Sequence, residues 1–194
     1  MELAHKYKIA IIGLGYVGLP LAKLFVEKGN TVYGIDTDIR KIQMLQKRQS
    51  YLSDYKRNDI RELFSGKKFH VSHSFEVIEK ADVIILCVPT PLDEQMQPDL
   101  KFVINATRCI LPHLKRGQLI ALESSTFPGT SEEILKPLLE REYRTGGRDG
   151  SSASLFAGTD RSRVALGAVA NSEGRRRGES GKHFVRKRSL WYRI

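Results

Sequence analysis

Short apolar stretches alternate with amphipathic segments along the first 145 residues of the chain. Tyr7–Ile12, Thr31–Ile35 and Val83–Val88 are rich in β-branched residues and predict strands, with shorter strands at His70–Val71 and in QLIALES. The run from 83 to 88 is apolar without interruption, which is typical of a strand buried on both faces of a sheet. The pattern predicts an α/β fold with a doubly wound parallel sheet covered by helices.

The segments between the predicted strands have apolar residues at helical spacing. The predicted helices run from Gly18 to Lys28, around Ile39, Met44 and Leu45, from Ser74 to Lys80, from Leu100 to about Leu114, and from Ser131 to about Arg141. Ser131, with Glu132 or Glu133, is predicted to cap the last helix at its N-terminus.

Three glycines follow the first strand at the spacing GxGxxG and lead into a helix. In a Rossmann-type sheet, Gly13 permits a tight turn, Gly15 lets the backbone approach a pyrophosphate, and Gly18 lets the helix pack against the strand. Asp36 ends the second strand, where a carboxylate accepts hydrogen bonds from ribose hydroxyls and repels a 2′-phosphate. NAD is therefore predicted in preference to NADP, which the neighbouring Arg40 and Lys41 keep as an alternative.

Two further loops follow predicted strands and are expected at the carboxyl edge of the sheet, where ligands bind in such folds. Val88 to Pro91 contains two prolines that fix its course, and Glu123 to Thr130 concentrates hydroxyl groups. Each loop alone is consistent with a simple turn. Together with the glycine motif, they are predicted to surround the nicotinamide side of the cofactor.

The composition changes near Gly146. Residues 1 to 145 hold 21 basic and 18 acidic residues, whereas residues 146 to 194 hold 11 basic and 4 acidic ones. Beyond a linker-like RTGGRDGSSAS, no helical or strand periodicity is sustained. The sequence thus predicts a domain over 1–145 and a disordered or irregular basic tail over 146–194.

Other candidate sites have weaker support. His70 and His73 have the spacing of a metal pair but no third ligand, so no metal is predicted. Cys87 and Cys109 are interpreted as ordinary thiols in a reducing compartment. Because the basic clusters of the tail have no folded context, no nucleic-acid partner is predicted. The N-terminal apolar run is broken by charges, so neither a signal peptide nor a membrane span is predicted, and the expected location is cytoplasmic.

The motifs resemble those of the UDP-glucose/GDP-mannose dehydrogenase family of nucleotide-sugar 6-dehydrogenases. Its signatures stand here as KIAIIGLGYVGLPLA, GID, ADVIILCVPTPLD, PDL and ESSTFPGTSEE, over about residues 6 to 145. GYVGLPLA and STFPGT are more similar to the branch that acts on UDP-N-acetylhexosamines than to the UDP-glucose branch. Family members oxidise the C6 alcohol of the sugar to a carboxylate in two hydride transfers to NAD.

The resemblance implies a role for each matching residue. The glycine turn would bind the pyrophosphate, Asp36 and Lys41 the adenosine ribose, and the two loops the nicotinamide side. The family usually has Thr where Ser125 stands, and its hydroxyl helps to place an active-site water. Ser keeps the hydroxyl but lacks the methyl group that restricts its rotamers. Ser125 is the one predicted catalytic residue, and the predicted cofactor-binding residues are Gly13, Leu14, Gly15, Tyr16, Val17, Gly18, Asp36, Lys41, Val88, Pro89, Thr90, Pro91, Ser124 and Ser125.

The family's second oxidation passes through a thiohemiacetal on a cysteine in a glycine-rich loop further along the chain. That loop, the Lys and Asn that assist it, and the UDP-binding C-terminal domain have no counterpart in this sequence. The chain is therefore expected to be a truncated NAD-binding portion that does not complete turnover alone. For an intact enzyme, the resemblance also implies a UDP-sugar substrate and a homo-oligomer.

A frameshift is our hypothesis for the change in composition. Family members continue with SPERIDPG and then IPKVVGG. With one constant offset of the reading frame, Ser154 to Val164 can encode AYSPERIDPG, Asn171 to Glu179 can encode IPKVVGGV, and Arg188 to Tyr192 can encode ALYG. Sequencing the gene tests this hypothesis, since an offset frame without those motifs would contradict it.

Two alternative functions stay open. One is another NAD-dependent hydroxyl dehydrogenase, of the hydroxyacyl or phosphogluconate type, although VPTP followed by STFPGT disfavours it. The other is a non-enzymatic NAD-binding module with a basic tail.

Overall fold

The computed structural model describes residues 6–115, 117–127, 129–145, 153–158 and 163–168. Five parallel strands form most of its sheet, in the order β3-β2-β1-β4-β5. They are β1 (Lys8–Ile12), β2 (Thr31–Ile35), β3 (Phe69–Ser72), β4 (Val83–Leu86) and β5 (Leu119–Leu122). This is the strand order of a Rossmann-type sheet, and it confirms the predicted fold class.

Helices connect the parallel strands and cover the sheet. They are α1 (Gly18–Glu27), α2 (Ile39–Gln46), α3 (Arg57–Ser65), α4 (Lys101–Ile110) and α5 (Lys136–Thr145), with 3₁₀ turns at Phe75–Lys80 and Leu111–His113 and a π-helical segment at Thr130–Leu135 that leads into α5. None of the helices in the described residues is long and apolar enough to cross a membrane.

The core has two halves, one on each face of the sheet. Along β1, Ile9 and Ile11 pack into one half and Ala10 and Ile12 into the other, as the alternation of side chains along a strand requires. Every residue of β4 is buried. The uninterrupted apolar run that predicted burial on both faces is thus confirmed.

Helix α3 was not anticipated from the apolar pattern. It is strongly charged, and only Ile60 and Leu63 are buried. Its start is fixed by a polar contact, because the carboxylate of Asp59 accepts a hydrogen bond of 2.9 Å from the backbone N–H of Lys56. An apolar face this narrow leaves too few periodic positions to mark a helix in the sequence.

The predicted cap at Ser131 is wrong. The helical segment begins one residue earlier, at Thr130, and its N-cap is Gly129 with φ +92°. Within the described chain, the buried hydroxyl of Ser131 has no hydrogen-bond partner. The left-handed conformation of Gly129 ends the preceding turn, so no side-chain cap is needed to redirect the backbone.

Two tail segments depart from the irregular chain that the composition predicts. Strands β6 (Ala153–Gly158) and β7 (Arg163–Ala168) pair as an antiparallel hairpin, and β7 lies antiparallel to β5. The hydrogen bonds between these strands are made by backbone N–H and C=O groups. They therefore do not require an alternation of apolar and polar side chains that would mark the strands in the sequence. Most of the predicted tail lies outside the described residues, including the basic clusters at 175–177 and 186–188.

Gly18 offers a direct test of the packing between α1 and β1. A Cβ at this position would lie 1.8 Å from the carbonyl oxygen of Gly13, so Gly18→Ala forces the backbone apart. We expect a loss of about 3 kcal/mol or more in the free energy of unfolding, measured by urea denaturation. Gly66→Ala is the matched control, since a Cβ there meets nothing within 4 Å. Equal stability of the two variants would contradict this account.

Candidate functional site

A cleft of about 720 Å³ lies at the carboxyl edge of the parallel strands. The turn after β1, the start of α2, the segment after α2, and the loops after β4 and β5 form its walls. Its lining residues are Gly15, Tyr16, Val17, Asp38, Arg40, Lys41, Met44, Tyr51, Leu52, Cys87, Val88, Pro89, Thr90, Glu123, Ser124 and Ser125. The cleft therefore stands where parallel α/β sheets bind their ligands.

Each glycine of the turn meets a different steric demand. Gly13 has φ +93°, and a Cβ on it would lie 2.5 Å from the carbonyl oxygen of Cys87. A Cβ on Gly18 would overlap Gly13, as described above. At Gly15, by contrast, a Cβ would meet nothing within 4 Å, and this residue lines the cleft. Gly13 and Gly18 are thus required by packing, whereas Gly15 keeps the cleft open.

The amides of the turn are available to an anion. In the described part of the chain, the backbone N–H groups of Gly15, Tyr16 and Val17 donate no hydrogen bond. They precede the first turn of α1, and the helix dipole places positive potential at this end. The side chains of Tyr16 and Val17 are exposed and leave the backbone accessible. This arrangement suits a phosphate group.

Asp36 connects the glycine turn to α2. One carboxylate oxygen, Oδ2, accepts hydrogen bonds of 2.9 Å from the backbone N–H of Leu14 and from Nζ of Lys41, while Oδ1 accepts one of 2.9 Å from the N–H of Asp38. Asp36 is only 6% exposed, so its charge is offset by Lys41 within the protein. The predicted ribose-binding pair is therefore brought together, with Asp36 beneath the cleft wall and Lys41 in it.

Tyr51 is a site residue that the sequence motifs did not reveal. Its hydroxyl donates a hydrogen bond to the carbonyl oxygen of Leu14, and its ring lies 5.8 Å from Nζ of Lys41. Burial, followed by the charges of Asp36 and Asp38, raises its pKa well above the ordinary value, so the hydroxyl stays protonated. Tyr51 and Asp36 thus bind the two backbone polar groups of Leu14, its carbonyl and its N–H.

The loops after β4 and β5 are joined to each other. The hydroxyl of Ser124 donates a hydrogen bond of 2.7 Å to the carbonyl oxygen of Val88, and the backbone N–H of Glu123 donates one of 2.9 Å to Leu86. Ser125 follows as an exposed residue on the cleft wall. The two predicted loops therefore form one continuous side of the cleft.

Cys87 lies on the floor of the cleft and is 8% exposed. Burial, with a smaller contribution from the charge of Glu123, raises the pKa of this thiol to about 12. A thiol with such a pKa is almost entirely neutral near pH 7, and the neutral form is a poor nucleophile. Its burial and raised pKa support the interpretation of Cys87 as an ordinary, unreactive thiol.

The predicted cofactor-binding residues divide into two groups in the structure, with Pro91 outside both. Nine of them line the cleft: Gly15, Tyr16, Val17, Lys41, Val88, Pro89, Thr90, Ser124 and Ser125. Gly13, Leu14, Gly18 and Asp36 form the layer beneath it, and Pro91 accepts a backbone hydrogen bond from Asp99 outside it. Sequence motifs did not assign Asp38, Met44, Tyr51, Leu52 or Cys87 to the site.

Both histidines of the pair, His70 and His73, lie at the surface. His70 is exposed on β3 and stacks on Tyr33, with ring centroids 5.4 Å apart. Over the described ranges, no three His, Cys, Asp or Glu side chains converge as a metal site would require.

The hydrogen bond of Tyr51 can be tested without removing its ring. Tyr51→Phe leaves the buried carbonyl of Leu14 without that donor, and we expect a loss of about 1–3 kcal/mol in the free energy of unfolding. Tyr55→Phe is the matched control, because it removes a hydroxyl in the same segment that makes no hydrogen bond with any described residue. Urea denaturation of both variants makes the comparison, and equal losses would show that the contact to Leu14 is not the cause.

Comparison with known proteins agrees with this geometry. Residues 7–180 match the model of the UDP-glucose/GDP-mannose dehydrogenase family, NAD binding domain. The UDP-N-acetyl-D-glucosamine 6-dehydrogenase of Pseudomonas aeruginosa is 40% identical over 134 residues, which are 69% of this chain and 31% of that protein. The chain spans about a third of the length of the curated relatives it matches.

Two solved structures extend the comparison to three dimensions. The UDP-D-ManNAc dehydrogenase of Pyrococcus horikoshii is 33% identical with a TM-score of 0.66, over 75% of this chain and 34% of that one. A ternary complex of GDP-mannose dehydrogenase from Pseudomonas aeruginosa is 25% identical with a TM-score of 0.66, over 70% and 32%. The family match, the fold and the glycine-lined cleft agree, and the chain belongs to the UDP-glucose/GDP-mannose dehydrogenase family, in which it contains the domain that binds NAD.

Proposed function

We propose that the cleft binds NAD and that the chain supplies the cofactor half of a nucleotide-sugar 6-dehydrogenase acting on a UDP-N-acetylhexosamine. The observation that carries this proposal is the row of backbone amides at Gly15, Tyr16 and Val17, which have no acceptor in the described structure and face a cleft beside Asp36 and Lys41. Support for the substrate class comes from relatives named for UDP-N-acetyl-D-glucosamine and UDP-N-acetyl-D-mannosamine.

The residues at the adenosine end suit a dinucleotide. The amides of the glycine turn would donate to the pyrophosphate, and Gly15 leaves room for it. Asp36 Oδ1 accepts only the N–H of Asp38 among the described residues, so this oxygen keeps acceptor capacity for a ribose hydroxyl. Lys41, held at 2.9 Å from Asp36, would donate to the same ribose.

The other end of the cleft suits hydride transfer. When bound there, NAD supplies the acceptor for the hydride that leaves the sugar C6. Val88 to Pro91 would form the wall beside the nicotinamide, and Ser124 fixes that wall through its hydrogen bond to Val88. Ser125, exposed on the same side, would orient a water molecule through its hydroxyl. Leu86, at the end of β4, and Cys87, which follows it, are both buried beside this wall.

The second oxidation to a carboxylate needs a nucleophilic thiol, and neither cysteine of this sequence suits that role. Cys87 is buried and its pKa is raised to about 12. Cys109 is exposed on α4 and is absent from the cleft lining. We therefore propose that these 194 residues bind NAD but do not complete the oxidation.

Thiol labelling tests the assignment of the cysteines. In the native protein, we expect iodoacetamide to modify Cys109 readily and Cys87 at least about 100-fold more slowly, because Cys87 is buried and protonated. Cys109→Ser should therefore leave a protein that is labelled only after denaturation, whereas Cys87→Ser should keep the rapid reaction. Rapid labelling of Cys87 in native Cys109→Ser would contradict the assignment.

Calorimetric titration and an assay of NADH formation test the function. We expect saturable binding of NAD to the purified chain and weaker binding of NADP. No sustained NADH formation is expected with UDP-N-acetylglucosamine, UDP-N-acetylmannosamine or UDP-glucose. Sustained turnover would show that the essential nucleophile has been misassigned, and absence of NAD binding would contradict the proposed cofactor role. Binding of NAD with oxidation of an unrelated hydroxyacyl or phosphogluconate substrate would favour the alternative dehydrogenase class.

A further inference from the structure

The start of α2 carries an ion pair that lies on the wall of the cleft. Asp38 and Arg40 both line it, beside Lys41 at the adenosine end. The guanidinium of Arg40 donates from Nε to Asp38 Oδ1 at 3.1 Å and from a terminal nitrogen to Oδ2 at 3.0 Å. The backbone N–H of Arg40 also donates to Oδ1, at 3.0 Å, which makes Asp38 the N-cap of the helix. Three hydrogen bonds thus hold one carboxylate and one guanidinium in a fixed relation.

Lys41 is paired as well. Its Nζ lies 2.9 Å from Asp36 Oδ2, so the two cations at this end of the cleft each face one carboxylate. The local charge is therefore balanced. Because the charge of Asp36 is offset by Lys41, Asp36 alone repels a 2′-phosphate less than an unpaired carboxylate would.

The 2′-phosphate of NADP requires a cation that is able to turn toward it, and a nearby Arg is the residue that usually accepts it. Arg40 lies at the adenosine end of the cleft, and its side chain is 87% exposed, so it is accessible to a ligand there. The planar guanidinium forms paired hydrogen bonds to a carboxylate or to a phosphate. Its contact with Asp38 occupies the edge formed by Nε and one terminal nitrogen, fixes its orientation and offsets its charge, so Arg40 attracts a phosphate less than an unpaired guanidinium would. Its pairing with Asp38 holds the pKa of that carboxyl below its ordinary value.

We infer that Asp38 is a specificity-determining residue that excludes NADP by binding Arg40 and withholding it from the 2′-phosphate. This inference rests on the proposed function, because it requires that a dinucleotide occupy the cleft. Two carboxylates would then disfavour NADP. Asp36 would accept hydrogen bonds from the ribose hydroxyls, and Asp38 binds the guanidinium of Arg40 on the cleft wall.

Asp38→Ser is the variant that tests the inference. Serine keeps an N-cap acceptor for α2 but removes the charge and the paired contact with Arg40. We expect the Kd for NADP, measured by calorimetry, to fall roughly tenfold, while the Kd for NAD changes by less than about threefold. The double variant Asp38→Ser with Arg40→Gln should lose the gain in NADP affinity.

A matched control separates this effect from a change in net charge. Asp54→Ser makes the same change at an exposed position outside the cleft lining, and its Kd for NADP should equal that of the unmodified chain. An unchanged Kd for NADP in Asp38→Ser would overturn the inference, as would a gain that persists without Arg40. If neither the unmodified chain nor any variant binds NAD, the proposed function is overturned as well. Normal NAD binding with an unchanged Kd for NADP would overturn this inference alone.

Discussion

The fold and the cleft both depend on one backbone contact that no side chain can enter. Gly18, at the start of α1, lies so close to Gly13 that a Cβ would stand 1.8 Å from its carbonyl oxygen, and Gly13 in turn approaches the carbonyl of Cys87. This contact seats α1 against the ends of β1 and β4 and directs the first amides of the helix toward the sheet edge. A phosphate-binding turn is therefore a consequence of how the helix packs, rather than a feature added to a finished domain.

Polar contacts then hold the turn in place. Leu14 donates its backbone N–H to Asp36 and accepts a hydrogen bond from Tyr51 at its carbonyl, and Lys41 contacts both of these side chains. A buried carboxylate is stable only with such partners, because an unpaired charge in the interior carries a large desolvation cost. The same contacts position Lys41 on the cleft wall, so the groups that stabilise the turn also define the adenosine end.

The parallel sheet could be predicted because its signals are local and periodic. The strand at 31–35 was placed without error, and the glycine spacing identified the turn before any contact was known. Tyr51 and the pairing of Asp38 with Arg40 could not be predicted, since Tyr51 reaches Leu14 across 37 positions and the ion pair depends on side-chain rotamers. Helix α3 and the hairpin of β6 and β7 were not predicted either. The apolar face of α3 is too narrow to produce a clear helical period, and the hairpin is paired through backbone groups. Of the predicted site residues, Pro91 alone lies neither on the cleft wall nor in the layer beneath it.

The two ends of the cleft differ in the interactions that form them. Ion pairs line the end proposed to recognise the adenosine, and hydrogen-bonded backbone loops form the end proposed for hydride transfer. At the adenosine end, Asp36, Asp38, Arg40 and Lys41 balance one another, so selectivity depends on which charges are already paired. At the opposite end, the walls are backbone loops joined through Ser124, and the nearby thiol of Cys87 is kept neutral by burial. The residues proposed to bind and orient a dinucleotide lie between Gly13 and Ser125. A reactive thiolate requires an exposed or electropositive setting, which this end of the cleft does not provide. Under the proposed function, a nucleophile for the second oxidation would therefore reach the nicotinamide end from outside these cleft walls.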